Sequence, residues 1–106
     1  MNQKDQFIRE NNTKRLLMYS DRMHRNCIRL NCGSTWEHEL MKVRKCWELL
    51  NAGHDFITEA RFEKGGRADV LDLTEGIAYE VVVSESEASI LEKSRKYPVP
   101  VRVIKP

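Results

Sequence analysis

No stretch of this chain approaches the ~20 consecutive apolar residues that a membrane-spanning helix needs. The opening residues, MNQKDQFIRENN, contain no apolar core of a secretory signal. The expectation is an intracellular protein of cytoplasm or nucleoid, neither secreted nor partnered with a membrane. Cysteine is also scarce. Cys27, Cys32 and Cys46 are an odd number without a dense framework, which reads as free thiols in a reducing compartment rather than a disulfide scaffold. Together with His24 they could supply four zinc ligands, but their spacings match no familiar finger pattern. Internal repeats, low-complexity tracts and linkers are lacking too, which excludes solenoids and disordered tails.

What is present is one domain's worth of chain. At 106 residues the protein can bury roughly two-thirds of its unfolded surface, enough for a core without staples. The hydrophobic share of 41% and charged share of 32% describe a globular protein. The net charge of +2 is unevenly spread. Residues 1–33 hold seven Lys/Arg against three acids, and residues 34–106 hold eleven against thirteen. A basic arm on a mildly acidic body suits a polyanionic partner, although a solvated helix face explains the same charges.

The apolar pattern divides the chain into elements. Residues 5–31 repeat apolar positions at three- and four-residue steps, predicting a helix, or two short ones split at 11–13 with Thr13 as cap. A second helix is expected over 36–51, capped by Ser34 or Thr35 and carrying Glu37 and Glu39 in its first turn. Its stripe of Trp36, Leu40, Val43, Trp47 and Leu50 is expected to face the core. Glu39 lies at the edge of that stripe and is the acid best placed to look inward. Strands follow over 54–62, 67–73 and 77–83, joined by glycine-containing turns at 63–66 and 74–76. A helix over 84–96, capped by Ser84 or Ser86 with Glu85 and Glu87 in its first turn, leads through Pro98 and Pro100 to a strand over 99–104. The three-strand meander is antiparallel, and the crossover helix sets the last strand parallel to the third. The fold class is therefore α/β, with one mixed sheet flanked by helices.

The chemical signal lies in residues 65–84, GGRADVLDLTEGIAYEVVVS. Asp69 and Glu80 each interrupt an apolar strand. Acids in such places are paired, hydrogen-bonded or metal-bound, because desolvating an unpaired carboxylate is costly. Glu59 on the first strand is a secondary candidate, with a solvated position as its rival. His38 on the helix can contact phosphate or assist a water, or simply lie at the surface.

This element order, with acids at these places, resembles the core of the PD-(D/E)xK nuclease superfamily, over residues 34–106. In that family a helix, a three-strand meander, a helix and a strand form the minimal restriction-endonuclease-like αβββαβ fold. The resemblance implies that Asp69 is the motif aspartate, Glu80 the third-strand glutamate, and Glu39, or else Glu37, the helical acid. It implies Mg²⁺ as cofactor, with Mn²⁺ as a substitute, held by Asp69, Glu80, Glu39 and the main-chain carbonyl of Val81. The motif lysine is replaced by Val82. Lys42, then Lys93, are the basic groups that could reach in for it. The implied function is a DNA nuclease, an endonuclease hydrolysing phosphodiester bonds of duplex or branched DNA. The alternative is an inactive nucleic-acid-binding module on the same fold. In this setting Arg15, Arg22, Arg25 and Arg29 of the 1–33 arm are expected to grip the DNA backbone. The arm's apolar side is equally suited to joining two subunits in a homodimer.

Overall fold

Four strands form a single mixed sheet in the order in which they occur in the chain. The structure is a computed structural model and describes residues 2–84 and 86–106. The elements are helix α1 (Gln3–Lys14), a 3-10 turn (Tyr19–Met23), helix α2 (Trp36–Asn51), strands β1 (Phe56–Arg61), β2 (Arg67–Asp72) and β3 (Ile77–Val81), helix α3 (Glu87–Ser94) and strand β4 (Val101–Ile104). β1, β2 and β3 are antiparallel neighbours, and β4 runs parallel to β3. This is an α/β chain of the expected order from Trp36 onward. No helix is long and apolar enough to cross a membrane, among the described residues.

Local chemistry explains the element ends. The Thr35 hydroxyl accepts from the amide of His38 at 3.2 Å and starts α2, and the Ser86 hydroxyl does the same for α3 with Ser89 at 3.1 Å. Glu85, expected in the first turn of α3, lies outside the described residues. Gly76 closes the β2–β3 turn at φ 69°, a conformation that favours glycine.

Two apolar clusters cover the two faces of the sheet. Cys46 and Leu49 of α2 pack on Phe56, Val70 and Tyr79. On the other face Leu17, Ile57, Ala60, Phe62, Ala68, Leu71, Leu73 and Ala78 form the larger cluster, with Tyr97, Val99 and Val101 against it.

Three expectations are corrected here. The continuous helix over 5–31 does not form. α1 ends at Lys14, Thr13 lies inside it with its hydroxyl donating to the Arg9 carbonyl at 2.9 Å, and residues 24–35 are irregular. The reason is the sheet edge: residues 16–29 are drawn along β1 by main-chain and side-chain bonds. Met18 N donates to the Arg61 carbonyl at 2.8 Å and Asn26 N to the Phe56 carbonyl at 2.7 Å. The Thr58 hydroxyl donates to the Cys27 carbonyl at 2.8 Å. A strap satisfying an edge strand's main chain wins over local helix propensity.

Secondly, α2 is rotated from the expected orientation. Glu39, Lys42, Cys46 and Leu49 face the sheet, while Trp36, Leu40, Trp47 and Leu50 are 76%, 49%, 64% and 42% exposed. Thirdly, β1 does not keep the alternation expected along residues 54–62, with Phe56, Thr58, Ala60 and Phe62 on one face and Asp55, Ile57, Glu59 and Arg61 on the other. Ile57 shares a cluster with Ala60 and Phe62 rather than a face with Glu59 and Arg61. The break falls at Glu59, which has φ 50°, a left-handed conformation uncommon for a residue with a side chain.

Candidate active cleft

The β2–β3 ladder pairs Asp72 with Ile77, Leu71 with Ala78 and Val70 with Tyr79. Continued by one residue, that register sets Asp69 opposite Glu80. Main-chain pairing gives way here, and the Asp69 carboxylate takes over as acceptor: Val81 N donates to its Oδ2 at 2.8 Å. Two acids thus stand across from one another on neighbouring strands, an arrangement that like charge opposes. Asp69 and Glu80 are each only 7% exposed. Burial, then the Asp69 charge, pushes the Glu80 carboxyl up to about 8. Near neutrality Glu80 therefore keeps its proton. The Tyr97 hydroxyl, which donates to the Arg67 carbonyl at 2.7 Å, also reaches Glu80. Glu80 Oε1 is buried without a hydrogen-bond partner.

The pair lines an open cleft of about 440 Å³, together with Ser34, Thr35 and His38 at the start of α2, Arg67, and Ile90 and Lys93 of α3. Its wall is thus built from the start of α2, the split ends of β2 and β3, and one side of α3.

A chain of charges runs from the cleft into the layer under α2. His38 bridges two acids, with Nε2 3.3 Å from Asp69 Oδ2 and Nδ1 2.8 Å from Glu39 Oε2. Glu39 Oε1 accepts from Lys42 Nζ at 2.6 Å and from the Asn31 amide at 2.5 Å. Lys42, fully buried, also meets Glu59 Oε1 at 2.7 Å, and Glu59 Oε2 lies 3.0 Å from Arg67 Nε. Burial alone would raise the Glu39 carboxyl. The hydrogen bonds from Lys42, Asn31 and His38 outweigh it and hold the group at about 2. The left-handed turn at Glu59 delivers its carboxylate to this network. Strain of this kind costs on the order of 1–3 kcal/mol and is found where the surroundings over-determine it.

Of the acids read from the sequence, Asp69 and Glu80 come together. Glu39 lies within one histidine of them but is spent on Lys42, and Glu59 is one residue further along the chain of charges. Glu37 is exposed on α2 and does not line the cleft. Among the described residues, no group of three or more His, Cys, Asp or Glu side chains converges to hold a metal ion. Val82 donates its amide to the Ile104 carbonyl at 2.9 Å and is 7% exposed, so the position of the motif lysine is an ordinary buried strand end. Cys46 is buried in the core, its thiol pushed up to about 12 by burial, whereas Cys27 and Cys32 are exposed.

The arginines of the arm are used differently from the expectation of one basic helix face. Arg22 donates to the carbonyls of Leu17 and Arg15, each at 3.1 Å. Arg25 pairs with Glu10 at 2.7 Å and with Asp55. Arg29 donates to the carbonyls of Thr58 and Glu59 and lies 3.6 Å from Asp21. Arg22 braces the strap internally, while Arg25 and Arg29 fasten it to the sheet; Arg15 is exposed. Sequence reasoning missed Asn31, whose amide anchors Glu39, and Tyr97, which reaches Glu80 from beyond α3. Neither carries a local sequence signal, because both arrive from loops. Comparison of the chain with known protein families, with curated proteins and with solved structures finds no match in any of the three.

Proposed function

We propose that this protein is a metal-dependent deoxyribonuclease with a restriction-endonuclease-like core, an endonuclease acting on phosphodiester bonds of duplex or branched DNA. The observation that carries the reading is the Asp69–Glu80 pair: two buried carboxyl groups forced together at a cleft wall, with Glu80 Oε1 left unpartnered. Such a pair is destabilised by ionisation unless a cation lies between the acids. Its hard oxygen donors fit Mg²⁺ or Mn²⁺. Asp69, Glu80 and the main-chain carbonyl of Val81 would hold the ion. Bound there, it supplies charge neutralisation at phosphate and a more acidic water. His38, with one ring nitrogen against each carboxylate, holds Asp69 and Glu39 in place at the cleft. Arg67 and Lys93 line the same cleft and offer positive charge to the phosphate backbone. Lys42 acts as a positioning residue, ordering Glu39 and through it His38.

One observation favours a second reading, a module that binds nucleic acid without cutting it. Val82 supplies no cation, and Lys42 is committed to two carboxylates. Calorimetric titration with Mn²⁺ and Mg²⁺, alongside cleavage of duplex and branched DNA, decides between them. The wild-type chain is expected to bind metal and nick DNA, and both Asp69→Asn and Glu80→Gln are expected to lose each property. DNA binding without cleavage in either metal would establish the binding module. Failure to bind metal and DNA alike would overturn both readings.

A further inference from the structure

The outward face of α2 is an unusual surface for a small protein. Trp36, Leu40, Val43, Trp47 and Leu50 follow one another at steps of four, three, four and three. That is a strict 3.5-residue seam, the spacing that fits a facing helix rather than a sheet. Trp36 is 76%, Leu40 49%, Trp47 64% and Leu50 42% exposed. Leu30, 67% exposed, joins Trp36, Leu40 and Val43 around an adjacent apolar groove of about 420 Å³. We propose that this face is a homodimer interface, in which α2 packs antiparallel on α2 of a second copy of the chain.

Charge identifies the occupant and the register. The residues flanking the seam on its open side are Glu37 and Arg44; the other flank, Glu39 and Cys46, is buried against the chain's own sheet. In an antiparallel pair these open flanks face each other. With Leu40 against the second copy's Val43, and Trp36 against its Trp47, Glu37 of each copy meets Arg44 of the other. Two symmetric ion pairs result. Sliding by one heptad would set Arg44 against Arg44. A parallel pair would need the buried flank and has no such contact. Among the described residues Arg44 pairs within its own chain with Glu48 alone, at 3.6 Å on the surface, and Glu37 forms no ion pair. In the proposed register the second copy's Trp47 arrives beside the groove. The exposed apolar side chains offer on the order of 600 Å² per copy, against roughly 800 Å² per partner in a standard interface, and the polar rim makes up the rest. Glu39 flanks this surface and lines the groove, but none of the seam residues lines the cleft of Asp69 and Glu80, so the inference does not rest on the nuclease reading.

Sedimentation equilibrium of the full chain tests it. The wild type is expected to dimerise, and Leu40→Glu, at an exposed position, to weaken the dimer by about 30-fold or more, with a thermal melt equal to the wild type's at dilutions where both are monomeric. Glu37→Arg and Arg44→Glu are each expected to weaken self-association by about 3- to 30-fold. Mixed in equal amounts, these two variants should form a heterodimer with both ion pairs restored in sense. A wild type that stays monomeric up to its solubility limit overturns the proposal and leaves the face to a different protein. So does a dimer insensitive to Leu40→Glu, and so does a mixture of charge variants that regains nothing.

Discussion

Glu80 is the residue on which burial and charge act together most strongly. Its carboxyl is raised to about 8 in the folded chain from an ordinary value of 4.5. Between those values the folded state holds a proton that the unfolded state has released. Stability therefore falls as pH rises from about 4.5 to about 8 and levels off above. Glu39 works in the opposite sense. Its carboxyl is held at about 2, so the stability it contributes is present above 4.5 and is lost as pH falls toward 2. Glu80→Gln removes the first dependence. Urea unfolding across this range is expected to show a decline on the order of 3 kcal/mol in the wild type and a nearly flat curve in the variant. Equal slopes in the two proteins would mean that Glu80 ionises normally. On the proposed metal-dependent reading the same proton must leave before a divalent cation binds, and metal affinity is then expected to increase up to about pH 8.

At the scale of elements, the hairpin between β1 and β2 is set by two successive glycines with different constraints. Gly65 has φ 109° with no heavy atom within 4 Å of where a Cβ would stand. Gly66 has φ 90°, and its Cβ would lie 2.3 Å from a ring carbon of Tyr97. Gly65→Ala is expected to lose about 1 kcal/mol of stability through backbone strain alone, and Gly66→Ala clearly more, because the ring reaching Glu80 must move. Denaturant unfolding of the two variants side by side checks this, and equal losses would remove the role assigned to Tyr97. The elements themselves were legible where one face is buried and caps are explicit. α2 is read from the sequence with the observed ends, and Asp69 and Glu80 follow from acids interrupting two apolar strands. The orientation of α2 was not legible. Periodicity finds a stripe but not its partner, and here a buried lysine between two carboxylates outcompetes the more apolar side. The irregular course of residues 24–35 was equally hidden, because it is fixed by a sheet edge far away in sequence.

At the scale of the whole molecule, the N-terminal third acts as a strap around the sheet. Its anchor is Asp21, 1% exposed, which accepts from the Arg61 amide at 2.8 Å and from the Arg61 guanidinium at 3.0 and 3.1 Å. Burial opposes the charge on Asp21, but the Arg61 bonds and the nearby Arg29 overcome it and lower its carboxyl below the ordinary value. Asp21→Ala is expected to accelerate amide exchange at Met18 and Arg61 by about 30-fold, the equivalent of ~2 kcal/mol of local opening. Unchanged exchange would show that the strap is held elsewhere. The strap also determines how the sheet can grow. With β1 covered, β4 is the one open edge among the described residues, so copies joined strand to strand would stop at two and could not propagate into a fibre. Loosening the strap would open the second edge and convert a terminating surface into a polymerising one.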